Sequence, residues 1–199
     1  MPLNEWQSNT VETIFGNRYP HGLVKTVLDV GCGLSMKSQY IYAETRVGVD
    51  ISRRYLERAR EQSSIGDSFV LVNADALMIE RLFLPKSFDV VICFDVVEHL
   101  PKDDALELLR MCEALARVAV CIETPLGYVP QNLDITGFGE HSYQTHRCGW
   151  EVEEFIKMGY SVLVRDYTMN DVQRHTDEFV SPQIKMIDRS EERRVGKEC

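Results

Sequence analysis

The 199-residue chain has no apolar run long enough to span a bilayer, which takes about 20 residues. Its N-terminus, "MPLNEWQSNTVETIF", lacks the basic start and apolar stretch of a secretory signal, so a cytoplasmic location is expected. The six cysteines show no paired metal-ligand spacing. Cys93 and Cys121 fall in apolar runs, where cysteine is a small buried hydrophobe, so neither disulfides nor a metal are expected. There is no excess of positive charge: the formal net charge is −9 and the pI about 5.1. That balance disfavours a nucleic-acid partner, which would need a basic face. Internal repeats, low-complexity tracts and Pro/Ser-rich linkers are also missing, which leaves one domain. The last residues, "RSEERRVGKEC" (Arg189 to Cys199), match a translated sequencing adapter along their whole length. They are expected to be foreign to the protein, with the domain occupying residues 1–188.

What the chain does have is an alternation of short apolar runs and amphipathic segments. Thr26–Val30, Arg46–Asp50, Ser68–Asn73, Phe88–Phe94 and Ala116–Glu123 read as strands. They are almost continuously apolar and rich in valine, as strands covered on both faces must be. Ser52 suits the N-cap of a helix, "SRRYLERAREQ". In "KDDALELLRMCEAL", Ala105, Leu108, Leu109, Cys112 and Leu115 form one helical stripe, with Asp103 and Asp104 at the favourable end of its dipole. "WEVEEFIKMGY" reads as a helix with Val152, Phe155 and Ile156 inward and Gly159 as its stop. Asn4 to Phe15 is expected to be helical, "YSVLVRDYT" a sixth strand and "QIKMID" the start of a seventh. The fold class is therefore α/β: a Rossmann-like, doubly wound, mostly parallel sheet with helices on both faces.

In such sheets ligands bind beyond the carboxyl ends of the strands. The residues there are Gly31 and Gly33 after the first strand, Asp50 after the second, Asp75 after the third and Asp95 after the fourth; Asp29 lies within the first. A dinucleotide site would carry a third glycine where this chain has Met36, and a pyrophosphate does not call for so many carboxylates. A ligand with hydroxyls, an exocyclic amine and a positive centre suits them better. S-adenosylmethionine has all three.

"VLDVGCG", "VGVDIS", "NADALM" and "FDVVICFDVVEHLP" resemble, in order and spacing, the successive motifs of class I S-adenosylmethionine-dependent methyltransferases. The resemblance runs from about Lys25 to Tyr167 and is greatest to the small-molecule, quinone- and lipid-pathway group. It implies that Gly31, Cys32 and Gly33 form the loop beneath the methionine part of the cofactor. Asp29 would help hold its amino group. Asp50, with Ile51 beside it, would take the ribose hydroxyls. Asp75 and Ala76 would meet the adenine, and Phe94 and Asp95 would open the loop facing the methyl. Ser35 departs from the family, which often has glycine there.

Methyl transfer from a sulfonium is an in-line displacement that needs positioning and, where the acceptor must lose a proton, a base. His146 and His141, in the segment Thr124 to Gly149, are the candidate catalytic residues, whereas His99 is expected to be structural. That segment is long for a connection and should act as a lid moving on Gly127, Gly137 and Gly139, with Tyr128, Phe138 and Tyr143 as aromatic walls. Trp150 and Phe155 should be core. The Pro-rich and Pro-Cys motifs of DNA-directed methyltransferases are absent after the fourth strand, which leaves small molecules, lipids, saccharide precursors or a protein side chain as acceptors, with a small molecule the expectation. Two alternatives stand beside this reading. One is a non-catalytic cofactor-binding subunit on the same fold; the other is a nicotinamide-dependent oxidoreductase.

Overall fold

The computed structural model describes residues 24–34, 43–61, 69–134 and 137–164, with the backbone of 183–186. The expected helix at Asn4–Phe15, Ser35, Met36 and the tail from Arg189 lie outside these residues.

Among the described residues, seven strands form one sheet in the order β3-β2-β1-β4-β5-β7-β6. They are β1 (Thr26–Val30), β2 (Thr45–Asp50), β3 (Phe69–Asn73), β4 (Phe88–Phe94), β5 (Ala116–Glu123), β6 (Ser161–Val162) and β7 (Gln183–Met186). The first five pair in parallel. β7 runs antiparallel between β5 and β6. The expected sixth strand is only two residues long, and the expected seventh is present.

The valine-rich strands divide their side chains between two cores. On β1 and β4, Leu28, Val30, Val91 and Cys93 enter one cluster, and Val27, Val90, Ile92 and Phe94 the other. That is the period-2 alternation of a strand covered on both faces. Helix α3 (Lys102–Leu115) lays Ala105, Leu108, Leu109, Cys112 and Leu115 against the first cluster, the stripe read from the sequence. Removing one such leucine side chain would cost about 2–5 kcal/mol. Cys93 and Cys121 are fully buried, and burial pushes the Cys121 thiol up to about 12.

Local signals set the remaining helices. Ser52 Oγ accepts from Tyr55 N at 3.3 Å and caps α1 (Arg53–Glu61). After the single turn α2 (Ile79–Leu82) and the similarly short α4 (His141–Gln144) comes α5 (Val152–Lys157). It starts with a reciprocal Glu151–Glu154 capping box. It stops where Gly159 N donates to Ile156 O and Tyr160 N to Phe155 O. Trp150 and Phe155 are core as expected. Ile156, expected inward, is 57% exposed, because the short helix turns only a narrow face to the sheet.

Candidate functional site

The chain leaves β1 toward β2 on one side and returns to β4 on the other, which makes the carboxyl ends of β1 and β4 the switch point in strand order. Parallel register brings the ends of neighbouring strands together: Val30 beside Val49 and Cys93, Asp50 beside Asn73, Phe94 beside Glu123.

The turn after β1 is built on backbone. Gly31 N and Cys32 N both donate to Val49 O, at 2.8 and 3.0 Å. Gly31 and Gly33 have φ of +68° and +51°, the left-handed region that favours glycine. The two are constrained differently. A Cβ on Gly31 would overlap the Val96 side chain, so this glycine is demanded by the turn after β4 as well as by any ligand. A Cβ on Gly33 would meet nothing within 4 Å. Cys32 is buried, with its thiol packed toward Gly48 of β2. It supports the loop from below.

Asp50 is buried at the end of β2 and braces this turn. Its Oδ2 accepts from Gly33 N and its Oδ1 from Ser52 N, both at 2.7 Å. Burial raises its pKa despite these two bonds, and the nearby Glu140 adds to the rise. Asn73, which the sequence did not single out, donates to the carbonyls of Asp50 and Ile51 at 2.9 Å and fixes the strand end. Ile51 is exposed beside it, an apolar surface at the mouth of the site. Asp75 caps the 3₁₀ turn Ala76–Met78 by accepting from Leu77 N at 2.9 Å, while remaining exposed. Asp29 is buried in β1.

Beyond β4, Asp95 is held at φ +55° with its N–H on Glu123 O at 2.9 Å. A non-glycine residue in this region costs about 1–3 kcal/mol and is kept only where its surroundings impose it. The following 3₁₀ turn, Val97–His99, carries Glu98, which is buried and accepts from Thr124 Oγ1 at 3.0 Å.

The segment 124–149 folds back over this end. It is tied at its base by Gly127 N to Trp150 O and by Arg147 N to Glu98 O, both at 2.7 Å. Its middle rests on α1 through Ser52 Oγ to Glu140 Oε1 (3.1 Å), Arg54 Nη1 to Phe138 O (2.6 Å) and Tyr55 Oη to Asp134 Oδ1 (3.2 Å). The ring of Phe138 meets Tyr55 edge-on at 5.6 Å. Tyr128 and Tyr143 are exposed.

The histidines separate. His146 is buried, with Nδ1 2.7 Å from Val129 O; a carbonyl can only accept, so this nitrogen donates and Nε2 keeps its lone pair. His99 Nδ1 lies 3.4 Å from Thr145 O, and the two imidazoles pack edge-on at 4.8 Å. Burial pulls both pKa values down, that of His99 to about 4 with His146 adding to the effect. His141 is exposed, and its Nδ1 accepts from Asp134 N at 3.0 Å. It holds the segment's own backbone and does not join the other two.

The sequence reading missed Glu98, Glu123, Asn73 and Glu140. Glu98 had a signal: it precedes His99 in the short turn that follows β4, where a buried carboxylate needs polar partners. Glu140 had none, because only the folded segment brings it to Ser52.

Residues 27–118 match the family model described as "Methyltransferase domain". The chain is 25% identical to a ubiquinone biosynthesis O-methyltransferase of Chromobacterium violaceum, over 85% of this chain and 82% of the relative. It is 32% identical to one from Bordetella parapertussis, over 56% of this chain and 43% of that relative, so this second match spans less than half the relative's length. Among solved structures, magnesium protoporphyrin IX methyltransferase from Synechocystis, crystallised with bound SAH, aligns with a TM-score of 0.59 at 18% identity, covering 91% and 81% of the two chains. An S-adenosylmethionine-dependent methyltransferase from Clostridium acetobutylicum aligns with a TM-score of 0.61 at 15% identity, covering 90% and 89%. Among the described residues, no helix is long and apolar enough to cross a membrane.

Proposed function

We propose that the chain acts as a class I S-adenosylmethionine-dependent methyltransferase and moves the cofactor's methyl group to an oxygen of a small organic acceptor, a reading that the methyltransferase-domain match and the similarity to O-methyltransferases support. The observation that carries the site assignment is the Gly33–Asp50 pair. A carboxylate is bonded to the backbone of a left-handed turn, with open space where a side chain at Gly33 would lie.

The methionine part of the cofactor lies over Gly31–Gly33, with Asp29 toward its amino group. Asp50 accepts from the ribose with the lone pairs its two backbone bonds leave, since each carboxylate oxygen has two acceptor sites. Ile51 covers one face of the adenine, and Asp75 and Ala76 meet its edge. Phe94 and Asp95 face the sulfonium. The chain's task is then to hold the acceptor in line and exclude water, while the cofactor supplies the leaving group. His146 is the better placed of the two candidate histidines, since its Nε2 is the accepting nitrogen. His141 is a loop brace. The relatives' names, O-methyltransferases of ubiquinone biosynthesis, support oxygen as the accepting atom and a small molecule as its carrier. The missing third glycine disfavours the nicotinamide reading.

Calorimetric titration with S-adenosylhomocysteine tests the cofactor site. Turnover with methyl-labelled cofactor against panels of phenols, catechols, carboxylic acids and amines tests the acceptor. Binding of S-adenosylhomocysteine with label appearing on hydroxyl acceptors is expected. Label appearing only on amines would overturn the oxygen assignment.

A further inference from the structure

Ser52 stands between two carboxylates from different parts of the fold. Its backbone N–H donates to Asp50 Oδ1 at 2.7 Å, and its hydroxyl lies 3.1 Å from Oε1 of Glu140, 88 residues further along the chain. We propose that Glu140 is a positioning residue for the cofactor site: through Ser52 it sets Asp50 as an acceptor for the ribose hydroxyls and couples occupancy there to the docking of segment 124–149. The proposal rests on the preceding reading of Asp50 as the ribose acceptor.

The hydrogen bonds of Ser52 are the first argument. Ser52 is buried, and its hydroxyl has one proton to give. A carboxylate oxygen accepts, so that proton goes to Glu140, and a lone pair of the hydroxyl takes Tyr55 N at 3.3 Å to cap α1. The carbonyl of Ser52 takes Leu56 N, also at 3.3 Å. Glu140 thus fixes the rotor of the one residue that both caps α1 and holds Asp50.

Glu140 is itself held in place. Its N–H donates to Asp134 Oδ2 at 2.9 Å, while Oδ1 of that buried carboxylate takes the Tyr55 hydroxyl at 3.2 Å. Arg54 and the ring of Tyr55 hold Phe138 beside it. Three residues at the start of α1, Ser52, Arg54 and Tyr55, therefore carry these contacts of the segment, and the first of them also holds Asp50. The same segment runs on to His146, which the preceding reading sets beside the acceptor. A contiguous chain of bonds joins the cofactor end of the site to the acceptor end.

The charges give the coupling its sign. Burial raises the Asp50 pKa, and the nearby Glu140 adds to the rise. A more basic carboxylate is a stronger hydrogen-bond acceptor, so Glu140 strengthens the bonds that Asp50 makes to a donor. Conversely, hydroxyls that donate to Asp50 spread its charge and relieve the repulsion on Glu140, which favours the docked segment. These two effects are one coupling free energy seen from either end, so they share sign and size.

The test titrates S-adenosylhomocysteine calorimetrically into the full chain as wild type, Glu140→Ala, Glu140→Gln, Ser52→Ala and the double variant Glu140→Ala with Ser52→Ala. Hydrogen exchange over residues 137–146 is followed on the same samples with and without that ligand. Glu140→Ala and Ser52→Ala should each weaken binding at least about fivefold, the lower end of coupling between sites. The double variant should lose less than the product of the two, because both changes break one link. Glu140→Gln keeps an acceptor for Ser52 and should recover part of the loss. Glu153→Gln, at the exposed start of α5, should leave affinity unchanged. The ligand should slow exchange over 137–146 in the wild type and not in Glu140→Ala. Melting curves without ligand check that each variant folds; Glu140 is only half-buried, so its variants carry the test if Ser52→Ala does not fold. Lower stability with wild-type affinity and wild-type protection makes Glu140 a loop brace and overturns the coupling. Losses that multiply fully in the double variant overturn it too. Equal binding by wild type and Glu140→Ala overturns the coupling and leaves the cofactor reading standing. No heat from a cooperatively melting wild type overturns the cofactor reading and the coupling with it.

Discussion

The two glycines of the first turn look equivalent in the sequence and are not. Gly31→Ala would bring its new methyl into Val96, whose β-branched side chain has little freedom to move. It would also hold alanine at φ +68°. Gly33→Ala meets only the backbone cost, about 1–3 kcal/mol for a non-glycine residue in that region. Gly31→Ala should therefore be the less stable of the two in urea unfolding. Adding Val96→Ala should recover part of the loss for Gly31→Ala and none for Gly33→Ala. Gly33→Ala should instead weaken S-adenosylhomocysteine binding, because its methyl enters the open space. Equal stability losses in both variants would contradict this division. Asp50 combines the two kinds of role. Its carboxylate holds two backbone N–H groups, so Asp50→Ala should cost stability, about 1–3 kcal/mol for each buried donor left without a partner. It should also weaken S-adenosylhomocysteine binding by roughly tenfold to a few hundredfold, the loss of charge-assisted bonds partly replaced by water. Asp50→Asn should be milder on both counts. Melting curves and calorimetry on the two variants check this, and unchanged affinity in Asp50→Ala would remove the residue from the ligand site.

The end of the sheet away from the site is held by a different carboxylate. Asp89, at the start of β4, accepts from Lys25 N (2.8 Å), Thr26 N and Thr26 Oγ1 on one oxygen and from Arg117 Nε (2.9 Å) on the other, joining β1, β4 and β5. Burial works to raise its pKa, but the two backbone donors and Arg117 more than offset it, so the net shift is downward. A carboxylate with a depressed pKa contributes stability above its unfolded value, here the ordinary 3.8, and loses it as pH falls through the folded value. Unfolding free energy should therefore drop, as pH falls below the ordinary 3.8, more steeply in the wild type than in Asp89→Asn. Parallel slopes would show that the group is not a linchpin of these strands. Elements of this kind were largely legible in the sequence. Apolar runs gave the five parallel strands because both faces are covered, and the i, i+3, i+4 stripe of α3 is its buried face residue for residue. Three features were not. The shortness of β6 depends on pairing with β7 rather than on its own composition. Ile156 turns outward because α5 is too short to bury two faces. The segment 124–149 is more firmly tied than a lid reading implies, since its anchors at Trp150, Glu98 and α1 are all distant in sequence.

At the scale of the molecule, the proposed site was legible where it is local to a strand end and hidden where it is assembled across the fold. Gly31 and Asp95 follow β1 and β4 directly, Gly33 lies in the same turn as Gly31, and Asp50 ends β2, so finding the strands locates them. The Glu98–His99–His146 cluster forms only when residue 146 is carried back over the turn after β4, a contact no periodicity encodes. The same architecture makes ligand binding a property of the whole domain. The proposed cofactor region draws on the ends of β1, β2, β3 and β4, which lie side by side in one sheet and share one continuous core. A ligand that needs all four ends binds the folded chain and not the unfolded one. By mass action, S-adenosylhomocysteine at a hundred times its dissociation constant should then stabilise the domain by about 2.7 kcal/mol. For a domain of this size that is a rise in melting temperature of roughly 5–10 °C. The rise should grow with the logarithm of ligand concentration, and it should shrink in Asp50→Ala at matched concentration because occupancy falls. NADH should give no rise, having no third glycine to receive its pyrophosphate against the helix. Differential scanning fluorimetry with the two ligands across a concentration series measures this directly. A rise with NADH and none with S-adenosylhomocysteine would place a dinucleotide over Gly31 and Gly33 and overturn the cofactor assignment at those strand ends.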